Sequence, residues 1–120
     1  MVLLVDFLYR KKTSVLLTGD VEAEGEKLLE ANNLLEKADI LKVAHHGSKG
    51  STTKNFLEIV QPEWAILSCG EKNVYGHPHE EVLERLKNAG TNYVSTAKRG
   101  AIIVRINSKG YTVYGYKNQD

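Results

Sequence analysis

Lys42-Val43-Ala44-His45-His46-Gly47-Ser48-Lys49-Gly50-Ser51-Thr52 is the stretch around which this chain is organised. A short apolar run over 40–44 reads as a buried strand, and it stops on two adjacent histidines followed by Gly, Ser, Lys, Gly and Ser. Neighbours on a strand point to opposite faces, so one imidazole can face a site while the other packs or hydrogen-bonds. Gly47 permits a sharp turn and a close backbone approach. Ser48, Lys49 and the amides of 47–50 are suited to holding an anion.

Working outward, 2–9 is rich in Val, Leu, Phe and Tyr and reads as a strand, with a basic turn at 10–13. A second strand over 14–18 makes a hairpin with it and runs into Gly19-Asp20, which puts a carboxylate at the rim of a sheet. Helical spacing over 21–33 places Leu28, Leu29 and Ala31 inward, with Glu22, Glu24, Glu26, Lys27 and Glu30 outward. Ser51 or Thr52 can cap a helix to about residue 60 that buries Phe56, Ile59 and Val60. A buried strand over 64–68, a loop over 69–75 and Gly76-His77-Pro78-His79 follow, with Pro78 in the first turn of a helix running to 88. Val82, Leu83 and Leu86 line its inner side, and Glu80, Glu81, Glu84, Arg85 and Lys87 its outer side. Three more strands, over 92–95, 101–106 and 111–116, complete the chain, the last two joined at Ser108-Lys109-Gly110. The order predicts an α/β fold, a mixed β-sheet with flanking helices, as one domain over 1–120.

Composition narrows the function classes. Charged residues make up 26% and the formal net charge is +1, so bulk electrostatics do not recruit nucleic acid and any anion attraction is local. A lone cysteine, Cys69, rules out an intramolecular disulfide and a cysteine-cluster metal site. No apolar run approaches the roughly 20 residues that span a bilayer.

All 4 histidines fall in two short motifs, His45-His46 and His77-Pro78-His79, each following a predicted strand. If the strands are neighbours, these motifs and Asp20 meet at one rim, with the oxygen and nitrogen donors that suit zinc or manganese. Such a set supports metal-assisted hydrolysis, in which bound water ionises near neutral pH. Ser48 and Lys49, with the loop amides, would hold the other oxygens of a phosphate. Plainer readings stand beside these. Asp20 can simply cap the following helix, His77 and His79 can be helix-entry residues, Lys98-Arg99-Gly100 can be a turn, and Cys69 a small buried apolar residue.

Leu16-Leu17-Thr18-Gly19-Asp20, then 39–48 with its Lys-Val-Ala-His-His-Gly-Ser core, then Tyr75-Gly76-His77-Pro78-His79, then the strand at Gly100-Ala101, resemble the second half of a metallo-β-lactamase-fold hydrolase. The similarity covers nearly the whole chain and is greatest to the C-terminal domain of ComEC-type bacterial DNA-uptake channel proteins. The resemblance implies half of an αββα sandwich, a two-metal site bridged by Asp20, and an imidazole ligand from His45 or His46. The other histidine, with Ser48 and His77, would contact phosphate, His45 and His77 being the catalytic candidates. It further implies a nuclease or phosphodiesterase acting on single-stranded DNA, in a soluble domain of a bacterial membrane protein; without the resemblance the chain reads as cytoplasmic.

Such hydrolases carry a His-x-His-x-Asp-His motif upstream, and it does not occur in these residues. The chain therefore reads as a partial domain whose upstream half is its missing partner, with an incomplete site and little or no activity alone. Half a sandwich leaves an apolar sheet face uncovered, which predicts a homodimer. The competing reading is a non-catalytic DNA- or phosphate-binding module of the same fold.

Overall fold

The computed structural model describes residues 13–70 and 76–117, and the backbone alone of 5–9. The expected strand residues 2–4, most of the basic turn and the loop over 71–75 lie outside the described residues.

Strands β1 (Val5–Tyr9), β2 (Thr13–Leu17), β3 (Ile40–Lys42), β4 (Trp64–Leu67) and β5 (Asn92–Ser95) form one sheet in that spatial order. β1 and β2 are the antiparallel hairpin, and β2, β3, β4 and β5 run parallel, so the sheet is mixed. Helices α1 (Ala23–Ala31), α2 (Lys54–Val60) and α3 (Glu80–Asn88) make the three crossovers. β2 to β5 step across the sheet in one direction, and right-handed crossovers then put every helix on the same face. Leu16, Leu41 and Ala65 share a register row on that face and join Phe56, Leu57 and Val60 of α2 and Val82 and Leu86 of α3 in the core.

The opposite face carries Val15, Ile40 and Trp64 in one row and Leu17, Lys42, Ile66 and Val94 in the next. Ile40 is buried, whereas Leu17 is 41% exposed. Near this face lies a separate antiparallel pair, β6 (Ile102–Asn107) and β7 (Gly110–Gly115), and the Tyr111 hydroxyl of β7 donates to Glu63 just before β4. Burial, that bond and the neighbouring Glu63 charge hold the Tyr111 hydroxyl far above the ordinary phenol range.

Several expectations shift. In α1 the buried residues are Glu26 and Leu29, and Leu28 points to solvent, because Glu26 is drawn inward by amide donors of the 52–53 loop. α2 starts one or two residues later than expected, with the Thr53 hydroxyl accepting from Phe56 N at 3.3 Å, and it buries Leu57 rather than Ile59 with Phe56 and Val60. α3 starts at Glu80 rather than at Pro78, with His79 as its N-cap and a cis His77-Pro78 bond before it. Lys98 and Arg99, expected with Gly100 as a turn, belong to a single helical turn, α4 (Thr96–Arg99), entered through Ser95 Oγ accepting from Ala97 N.

Candidate functional site

The run expected as a strand over 40–44 stops at Lys42, and Ala44–Gly47 turns into a 3-10 segment. His45 and His46 both take left-handed backbone angles, with φ of 50° and 54°. Strand alternation therefore does not govern the pair, and both imidazoles turn toward His77. Ring centroids are 5.8 Å apart for His45 and His77, 6.2 Å for His46 and His77, and 4.7 Å for His77 and His79. All four histidines stand on one rim.

Asp20 reaches the same rim. Gly19, at φ 57°, turns the chain out of β2, and its carbonyl accepts from His45 N at 2.9 Å. The turn bearing the carboxylate and the turn bearing the imidazoles are thus bonded directly to each other. Asp20 is exposed and is not a helix cap; Glu22 occupies the N-cap of α1.

The ring nitrogens have distinct surroundings. The Ser68 carbonyl lies 2.6 Å from His46 Nδ1, and a carbonyl only accepts, so the proton sits on Nδ1 and the Nε2 lone pair is left outward. That is the pose of an imidazole ready to ligate or accept a proton. His45 Nδ1 is buried, with Glu22 Oε1 3.6 Å away, too far for a hydrogen bond, and is left without a partner. Partial burial first, then the charges of His79, His45 and His46, hold His77 below the ordinary imidazole range. Lys42, half-buried behind the rim, is also lowered by desolvation, against the opposing pull of Asp20 and then Cys69.

The Gly-Ser loop is shaped from three sides. A Cβ on Gly47, at φ +85°, would come 2.7 Å from Pro78 Cβ, so only glycine lets the two motifs close on each other. His79 N donates to Gly47 O at 2.9 Å, and Lys49 N to His79 Nδ1 at 2.8 Å. Three of the amides expected to cradle an anion, those of Ser48, Lys49 and Gly50, already have protein partners. Ser48 N donates to His45 O, Gly50 N to Ser48 Oγ and Ser51 N to Ser48 O. The polar side chains of the loop are the exposed Lys49 and the half-buried Ser48.

Two residues read from the sequence as outward-facing charges build this loop. Glu26, 4% exposed, accepts from Thr53 N at 3.0 Å, from Thr53 Oγ1 at 2.8 Å and from Thr52 N. Arg85 Nη1 donates to Lys49 O at 3.1 Å and Ser51 O at 2.9 Å. Helical spacing placed both among polar neighbours, and their partners, 26 and 34 residues away, carry no local signal. The buried Ser51 and Thr52 hydroxyls have no hydrogen-bond partner. Cys69 is half-buried and linked to Ser95, Sγ to Oγ 3.3 Å, at the edge of the core.

Among the described residues, no three His, Cys, Asp or Glu side chains gather closely enough to hold a metal ion. No helix among them is long and apolar enough to cross a membrane.

No protein-family model matches the chain. It is 43% identical over 109 residues to ComE operon protein 3 of Bacillus subtilis, covering 89% of this chain and 14% of that protein. It is 44% identical over 93 residues to Recombination protein 2 of Haemophilus influenzae, covering 78% of this chain and 12% of the relative. Competence protein ComA of Neisseria gonorrhoeae is 37% identical over 92 residues, 74% of this chain and 13% of the relative. Across its length, then, this chain is a homologue of one segment of the competence proteins, a segment amounting to 12–14% of these curated relatives.

Proposed function

We propose that this chain forms the C-terminal part of a phosphodiester-cleaving centre in a ComEC-like DNA-uptake protein of the metallo-β-lactamase type. The observation that carries the reading is the bonded junction of the Gly19-Asp20 turn with His45, on the rim where the four imidazoles stand. In this reading Asp20 and one or both of His45 and His46 are donors to a zinc or manganese pair, and further ligands come from residues outside this chain. The metals would supply a water ionised near neutral pH.

The chain's own residues do the rest. Ser68 holds His46 in one tautomer with Nε2 outward. His77, whose proton affinity is lowered by partial burial and the neighbouring imidazoles, accepts or donates a hydrogen bond at the phosphate. Lys49 and Ser48 hold non-bridging phosphate oxygens, and the Glu26 and Arg85 bonds keep that loop in place before the substrate arrives. Soluble placement within a longer membrane protein belongs to the same proposal.

Titrating zinc or manganese into the chain tests the donor set. Weak uptake is expected, reduced by Asp20→Ala and abolished when His45 and His46 are both changed to Ala. Uptake indifferent to all three changes overturns the assignment. A second reading, a phosphate- or DNA-binding module without catalysis, is favoured by the finding that no three metal-donor side chains gather among the described residues. It predicts DNA binding that Asp20→Ala leaves intact, with no divalent-dependent cleavage even when further ligands are supplied from a longer protein.

A further inference from the structure

His79 stands at the N-cap position of α3, with φ −72° and ψ 144°, yet its side chain makes no bond to the first turn of its own helix. Histidine is also outside the group that N-caps favour, which is Asn, Asp, Ser, Thr and Gly. The ring is turned the other way. Its Nδ1 accepts from Lys49 N at 2.8 Å, 30 residues back in the chain. The backbone of the same residue donates from His79 N to Gly47 O at 2.9 Å. One residue therefore grips the loop on both sides of Ser48. Ser48 N donates in turn to His45 O at 3.0 Å, so the grip is continuous with the first histidine motif.

Accepting at Nδ1 leaves the proton of this ring on Nε2 and takes Nδ1 out of any ligand set. The His77 ring packs against the same ring edge to face, with centroids 4.7 Å apart and planes at 73°, an arrangement that ring pairs favour over a face-to-face sandwich. Pro78, between the two histidines, closes on Gly47 so tightly that a Cβ there would come 2.7 Å from Pro78 Cβ. Little slack is left between 77–79 and 47–49. The imidazole that bonds Lys49 is thus the one that sets the orientation of His77. We propose that His79 is a positioning residue, which holds Ser48, Lys49 and His77 in one arrangement around a single phosphate group. It acts through those three and not on the phosphate itself. The proposal rests on the reading of the rim as a phosphodiester site, and it gives the fourth histidine a task distinct from the other three.

A residue that merely starts α3 can be exchanged for a better cap without loss, and that difference supplies the test. His79→Ser, made in the whole 120-residue chain, places a favoured N-cap at the helix start with a side chain too short to reach Lys49. The urea midpoint is expected to equal or exceed that of the parent. The Lys49 amide is expected to exchange with solvent about five-fold faster, as loss of one hydrogen bond implies, and the His77 ring resonances to shift. Inorganic phosphate, titrated in without metal and followed by NMR, is expected to bind about five-fold more weakly, because its contacts are no longer held ready. Nitrogen shifts of the parent are expected to show His79 Nδ1 without a proton. Unchanged Lys49 exchange and His77 resonances, or phosphate bound equally by both chains, overturn the proposal. So does a lowered midpoint with protection lost throughout the chain, which makes His79 a residue of general stability. Zinc uptake is read separately: uptake indifferent to Asp20→Ala and to the paired His45 and His46 changes sinks the metal reading, and the Lys49 and His77 signals still decide the role of His79.

Discussion

Two turns meet at the histidine rim, the one after β2 that carries Asp20 and the one after β3 that carries His45, His46, Gly47 and Ser48, and they are held in different ways. The second is fastened by side chains from α1, α3 and the His77-Pro78-His79 segment, through Glu26, Arg85 and His79. The first is tied to its neighbour by the bond from His45 N to Gly19 O, and its carboxylate stands in solvent. One half of the rim is preorganised by this chain. The other presents an exposed carboxylate on a turn held mainly by backbone.

That contrast can be broken by mutation. Glu26→Ala strips the acceptor from two loop amides, Thr52 N and Thr53 N, and each unsatisfied amide costs about 1–3 kcal/mol, so the change is expected to be the most destabilising. Urea denaturation measures it, and a loss no larger than that of a typical surface change would show that the loop does not depend on α1. Gly47→Ala comes next. It places a Cβ against Pro78 at a left-handed φ, a strain of about 1–3 kcal/mol, and loosens the two histidine motifs from each other. The expected signs are a lower midpoint and altered histidine ring resonances by NMR. Asp20→Ala is expected to change stability by no more than about 0.5 kcal/mol, as exposed residues generally do. If it instead destabilises as much as Glu26→Ala, the two turns are not held differently.

Much of the architecture was legible because it is written in local patterns. Apolar runs of strand length, helical spacing and turn residues located the strands of the main sheet, its three crossover helices and the final hairpin, with boundaries displaced by a few residues. The displacements share a cause. Helix starts moved because the capping side chain of α2 is Thr53 rather than Ser51 or Thr52, and because α3 takes His79, not a residue ahead of Pro78, as its N-cap position, with no side-chain bond there. Inward faces were misjudged where a charged residue was buried by long-range bonds, as at Glu26, and where an apolar residue, Leu28, was left in solvent. Three of the loop amides expected to hold an anion, those of Ser48, Lys49 and Gly50, have protein partners for the same reason, the last of them on Ser48 and the second on the distant His79.

From the residues alone came the mixed α/β sheet, the rim at which strands end, and the side chains that stand there. These follow from periodicity, chain punctuation and donor chemistry, all properties of short segments. Tertiary structure alone decided that both histidines of the pair face His77 and that Glu26 and Arg85 shape the loop. Each of these depends on residues far apart in the chain, and the free energy that brings them together is set by the whole packed core.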